Sequence, residues 1–164
     1  KDRHKHGIAE TKAIHYVDLA GALFGEISTH TYMPANFAGN SETFDTCCIS
    51  LQHERGVITT LLMSYAAPLT VQISVVGTNG VLDYQGSTIR LFSPRDTFDE
   101  RGYFSDPPCV RSYEYDKTSK DMYVESLERA LSYFLDHCID GRAIPDWHYK
   151  NSLAVNRFIL DLAH

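Results

Sequence analysis

Four residues near the start of the chain have types and spacing suited to proton chemistry. Thr11, Lys12, His15 and Asp18 follow one another at steps that place them on one face of a helix, near its amino-terminal end. His15 exchanges a proton near neutral pH. A neighbouring cation lowers an imidazole pKa and a carboxylate raises it, so Lys12 and Asp18 are placed to tune His15 in opposite directions. Oxidising an alcohol by hydride removal requires a group of this kind, because the hydroxyl proton must leave as the hydride goes. The same spacing also describes an ordinary solvated helix face, with no chemistry attached.

Other arrangements are weaker. His4, His6, His15 and Asp18 are acceptable metal-ligand types. Lys5 between the first two histidines opposes a bound cation, and no metal is expected. Cys47 and Cys48 are adjacent in a strand-like stretch and so face opposite ways, with no local basic partner to lower a thiol pKa. These two, with Cys109 and Cys138, read as reduced packing residues of a cytoplasmic protein. Arg95, Asp96, Asp99, Glu100 and Arg101 read as a solvated loop, and Trp147 and Tyr149 as helix-packing residues.

The elements that must position these groups follow from periodicity. Lys12 to Phe24 carries Ile14, Val17, Ala20 and Leu23 at helical spacing and stops at Gly25. Strands are expected over Glu26–Met33, Phe44–Leu51, Val57–Tyr65, Val71–Val76, Val81–Tyr84, Thr88–Phe92 and Cys109–Tyr115. Gly56 closes one hairpin loop and Asn79-Gly80 marks another turn. The period then changes. Tyr123, Leu127, Leu131, Phe134 and Cys138 form one apolar helical stripe, Gly141 ends it, and Leu153 to Leu162 gives a last helix. Strands grouped in the middle with helices at the chain ends predict an α+β fold, with an open, mainly antiparallel sheet and the helices packed on one face.

Composition excludes several classes of function. The 164 residues suffice for a single domain spanning 1–164. A net charge of −6 argues against nucleic acid, whose phosphates must be neutralised by Lys and Arg. No apolar run reaches the roughly 20 residues that span a bilayer, so no membrane partner is expected. No Gly-rich loop lies between a strand and a helix, so no segment can cradle a dinucleotide pyrophosphate.

The run Gly7-Ile8-Ala9-Glu10-Thr11-Lys12-Ala13-Ile14-His15-Tyr16-Val17-Asp18-Leu19, closing on Leu23-Phe24-Gly25, resembles a helix start in the glucose–fructose oxidoreductase and inositol dehydrogenase (Gfo/Idh/MocA) family. Further likenesses follow in order: Glu42 to Leu51 before Gly56, Ser64 with Pro68, Val76-Gly77-Thr78-Asn79-Gly80-Val81-Leu82, and Tyr123 to Gly141 before Pro145. The resemblance implies a carboxyl-terminal, substrate-side domain of an NAD- or NADP-dependent oxidoreductase. Its substrate would be a sugar, sugar nucleotide, inositol or related polyol or ketone. The cofactor would sit on an amino-terminal Rossmann domain that this chain lacks, so the chain alone is expected to be inactive. The sheet would serve as a homo-oligomer interface. His15 would be the catalytic acid/base, with Thr11, Lys12 and Asp18 binding substrate or tuning it. Thr11 stands where many members carry Asp, and Thr can hydrogen-bond a substrate hydroxyl but cannot act as a carboxylate. The rival expectation is a non-catalytic oligomerisation or protein-interaction module of the same fold.

Overall fold

The computed structural model describes residues 7–38, 43–68, 70–93, 98–117 and 119–163. His4 and His6 of the weighed metal site lie outside these residues, as do Glu42, Arg95 and Asp96. The fold is α+β, and every strand pair within its sheets is antiparallel. The chain forms two compact units, one of residues 1–69 with 143–164 and one of residues 70–142.

The first unit opens with a π-helical turn, Ala9–Ala13, that runs straight into α1, Ile14–Phe24. Helical structure therefore begins earlier than periodicity placed it, because Ala9 and Ala13 extend the apolar face one turn upstream of Val17. Three strands follow: β1 (Ile27–Ala35), β2 (Thr46–His53) and β3 (Ile58–Ser64), in that spatial order. β2 is central, so every other residue on it points to one covered face. Cys47, Ile49, Leu51 and His53 are buried there, while Gln52 is exposed on the other face. Ala9, Ala13, Val17 and Ala20 lie on this row, joined by Val155 and Ile159 of the last helix, α3 (Asp146–Ala163). Helix residues at steps of 4, 4 and 3 meet strand residues at steps of 2, so one apolar seam forms. Three of the four helix contributions are alanines, which let the helix approach the sheet closely.

Two polar devices brace the unit. The buried His53 ring contacts the Gly25 carbonyl through Nδ1 (2.9 Å) and the Thr59 hydroxyl through Nε2 (3.0 Å), tying the end of α1 to the β2–β3 hairpin. Gly25 has φ 87°, a conformation open to glycine, and its own N–H still reaches the Gly21 carbonyl. Asp45 clamps the loop before β2. Its carboxylate accepts from the N–H groups of Phe37 (3.0 Å) and Ala38 (2.7 Å) and from the Thr46 hydroxyl (2.8 Å). The Ala38 N–H first, and then the Thr46 hydroxyl, hold this carboxyl below the usual range.

In the second unit, β4 (Gln72–Gly77), β5 (Gly80–Gln85), β6 (Thr88–Phe92) and β7 (Cys109–Glu114) form a four-stranded meander in chain order. The described strands thus make two separately hydrogen-bonded sheets rather than one. α2 (Ser119–Asp140) follows, and Gly141 ends it at φ 63°. Its stripe of Tyr123, Leu127, Leu131 and Phe134 is exposed, between 51 and 64%. Periodicity identifies which helix face is apolar but not what covers it. Trp147 and Tyr149, expected to pack, are also exposed. The Trp147 ring stacks instead on its neighbour His148, 3.7 Å between centroids.

Two outcomes test this reading of the first unit. Ile49→Ala removes a fully buried side chain from the central strand and is expected to cost about 2–5 kcal/mol of unfolding free energy, read by urea denaturation. Asp45→Ala is expected to lower Tm at pH 7. The lowered folded-state pKa contributes stability above the unfolded carboxyl value, and this is lost as pH falls through the folded value. The Tm difference between wild type and variant should therefore shrink on acidification below about pH 4, measured by thermal melts at a series of pH values.

Candidate active site

The seam that buries Ala9, Ala13, Val17 and Ala20 leaves the opposite side of the helix open, and Thr11, His15 and Asp18 are exposed there. The segment enters the helix at Gly7. The Gly7 N–H donates to Glu10 Oε2 (2.8 Å), and the Ile8 N–H donates to the Phe44 carbonyl (3.0 Å). The turn that follows is π-helical, with the Ile14 N–H bonded to the Ala9 carbonyl five residues back. Such a turn is wider than an α-turn, and isolated π turns concentrate at functional sites. Thr11 and Lys12 lie inside it.

Both converge on a residue that local spacing did not identify. Tyr65 follows the end of β3 and is held there by its N–H bond to the Asp45 carbonyl (2.8 Å). Its phenolic oxygen lies 2.7 Å from Thr11 Oγ1. The Lys12 ammonium stands over the same ring, 5.6 Å from its centroid. Thr11 Oγ1 also donates to the Gly7 carbonyl (2.9 Å). Tyr65 is 54 residues from Thr11 in sequence, and the only local hint was its place where a strand ends and the chain leaves the sheet.

The other two residues are arranged differently. Asp18 Oδ1 accepts from Asn151 Nδ2 of α3 at 2.5 Å, so this carboxylate is engaged by the last helix. A Cβ at Gly21 would come 3.2 Å from Asn151 Oδ1, so this small residue leaves room for the asparagine. His15 presents its imidazole to solvent. Of the four residues singled out by spacing, Thr11, His15 and Asp18 share the open side of one helical segment and Lys12 lies half-buried at its flank, with Thr11 and Lys12 drawn to Tyr65 and Asp18 drawn to Asn151. The arrangement offers an imidazole for proton exchange, hydroxyl groups for hydrogen bonding and one ammonium.

Among the described residues no group of three or more His, Cys, Asp or Glu side chains is placed to hold a metal ion. Burial, and then the nearby Cys48, push the Cys47 thiol up to about 11, which keeps it protonated at neutral pH. All four cysteines are free thiols. The described residues do not form a dinucleotide-binding unit of the strand–loop–helix type. Both sheets are antiparallel throughout, without the parallel strand–glycine loop–helix unit that receives a pyrophosphate. No helix among them is long and apolar enough to cross a membrane.

Comparison with known proteins places this geometry. No curated protein matches the sequence. Among solved structures, an oxidoreductase from Thermotoga maritima aligns over all of this chain (100%) and 44% of its own, with 14% identity and a TM-score of 0.72. A UDP-N-acetylglucosamine 3-dehydrogenase from Acidithiobacillus ferrooxidans aligns over 99% of this chain and 50% of its own, with 13% identity and a TM-score of 0.70. An Agrobacterium radiobacter oxidoreductase, solved with NAD+, L-tartaric acid and magnesium, covers 88% of this chain and 44% of its own, at 20% identity and a TM-score of 0.62. The chain thus spans half or less of the length of these proteins, and at such identities the likeness establishes the fold. A sequence model described as the GFO/IDH/MocA C-terminal domain matches residues 1–83, half of the chain. The chain therefore belongs to the GFO/IDH/MocA C-terminal domain family.

Proposed function

We propose that these 164 residues are the substrate-side domain of an NAD- or NADP-dependent oxidoreductase, in which His15 takes the proton of a substrate hydroxyl during oxidation or gives one to a carbonyl oxygen during reduction. The observation that carries the reading is the position of His15 on the open side of the π-turn and α1 segment, flanked by Thr11, Lys12 and Asp18. A solvent-facing imidazole beside hydroxyl and ammonium groups suits proton exchange with a polar substrate. The dinucleotide supplies hydride chemistry from outside the described residues. The chain by itself is then inactive. The Acidithiobacillus and Agrobacterium structures, a sugar-nucleotide dehydrogenase and an oxidoreductase with a bound hydroxy acid, support a carbohydrate-like substrate. The protein works in the cytoplasm as a homo-oligomer joined through sheet surface. The free cysteines and the exposed Met33 and Leu62 on the open face of the first sheet support this.

Two measurements test the proposal. His15→Ala in the full-length protein should lower kcat about 10²–10⁴-fold while leaving NAD(P)H binding unchanged. Unchanged turnover would assign the surface to a non-catalytic interaction module instead. Calorimetry of the 164-residue chain with NADH should show no tight binding, and a micromolar dissociation constant would overturn the proposed division between domains.

A further inference from the structure

The hydrogen-bond directions around Thr11 define what the site presents to a ligand. A threonine hydroxyl carries one proton. The Gly7 carbonyl can only accept, and Thr11 Oγ1 lies 2.9 Å from it, so the Thr11 proton goes there. In the 2.7 Å contact between Thr11 and Tyr65, the phenol is then the donor. The chain of bonds runs from Tyr65 to Thr11 to the Gly7 carbonyl, and both hydroxyl protons are used within it. Tyr65 is 45% exposed, and what its phenolic oxygen offers outward is lone pairs. The Thr11–Tyr65 pair is therefore an uncharged hydrogen-bond acceptor.

The charge beside it is positive. Lys12 stands over the Tyr65 ring, 5.6 Å from its centroid. The two acidic side chains of the same helical segment keep their charge but are directed to other partners, Glu10 to the Gly7 N–H and Asp18 to Asn151. A carboxylate acceptor at Thr11 would repel an anionic ligand, whereas a neutral acceptor next to an ammonium admits one.

We propose that Tyr65 is a substrate-positioning residue whose phenolic oxygen accepts a substrate hydroxyl, while Lys12 holds a carboxylate on the same substrate, so that the site selects hydroxy acids and sugar acids over neutral polyols. This rests on the oxidoreductase reading above and names its substrate class. The test uses pairs that differ in the acid group, D-glucuronate against D-glucose and D-gluconate against sorbitol, with NAD(P)+-linked turnover by the full-length protein. The acid of at least one pair should be preferred by about 10-fold or more in kcat/KM, the scale of a hydrogen bond to a charged group. Lys12→Ala should abolish that preference and Thr11→Asp should reverse it. Tyr65→Phe, which keeps the ring, should raise KM about 3–10-fold with kcat changed less than about twofold, the scale of one neutral hydrogen bond. A wild-type preference for the neutral member of each pair overturns the proposal. So does an unchanged KM in Tyr65→Phe, and a lowered Tm in that variant would then make the Thr11 bond structural only. Failure of this proposal is separable from failure of the oxidoreductase reading. In the first case His15→Ala still lowers kcat on a neutral substrate about 10²–10⁴-fold; in the second, neither acids nor neutral polyols are oxidised.

Discussion

The central strand of the first sheet cannot be hydrated on one side. Cys47, Ile49, Leu51 and His53 all point to the same face of β2, and strand neighbours on both sides close its edges. Leaving that row in water would forgo roughly 1.5–3 kcal/mol for each large apolar side chain. The helical segment from Ile8 to Phe24 covers it with Ala9, Ala13, Val17 and Ala20, and α3 completes the cover with Val155 and Ile159. Once the segment is docked by this face, its rotation is set. Thr11, His15 and Asp18 must then face outward, because a helix with one buried side has one open side. The candidate site is in this sense a geometric consequence of core burial.

Polar contacts then distinguish among the residues so exposed. The π-turn brings Thr11 within hydrogen-bond distance of Tyr65, and the Gly7 carbonyl sets the direction of the proton between them. Asp18 is drawn the other way by Asn151, across the gap that Gly21 leaves open. At Thr11 and Tyr65 this chain presents two hydroxyls and a nearby ammonium. The fold is that of the family, and the electrostatic character of the site follows from these particular side chains.

Much of the architecture was legible in the sequence. The strand over Thr88–Phe92 was bounded as observed, and the boundaries of the other strands lie within two residues of those expected. Alternation with period 2 is a direct record of strand burial, and Gly56, Gly80 and Gly141 occupy the positive-φ positions that punctuate the elements. The helix start was less legible. Ala9 and Ala13 are weak hydrophobic markers, and a π-turn departs from the 3.6-residue period by which helices are recognised. The α2 stripe and Trp147 show the same limit from the other side. Tyr123, Leu127, Leu131 and Phe134 have the right period yet lie exposed, because periodicity describes a face and not its cover.

The sequence by itself determined the α+β class, the order of the elements and the helix face on which Thr11, Lys12, His15 and Asp18 sit, since each follows from local periodicity and turn chemistry. The resemblance to the Gfo/Idh/MocA family, now matched over residues 1–83, rested on the same local motifs. Only the tertiary structure decided the partners. It set Tyr65 against Thr11 and Lys12, Asn151 against Asp18, and two sheets where periodicity implied one. The physical reason is common to all of these. A hydrogen bond across 54 or 133 residues depends on how separate elements pack, and no local pattern carries that information.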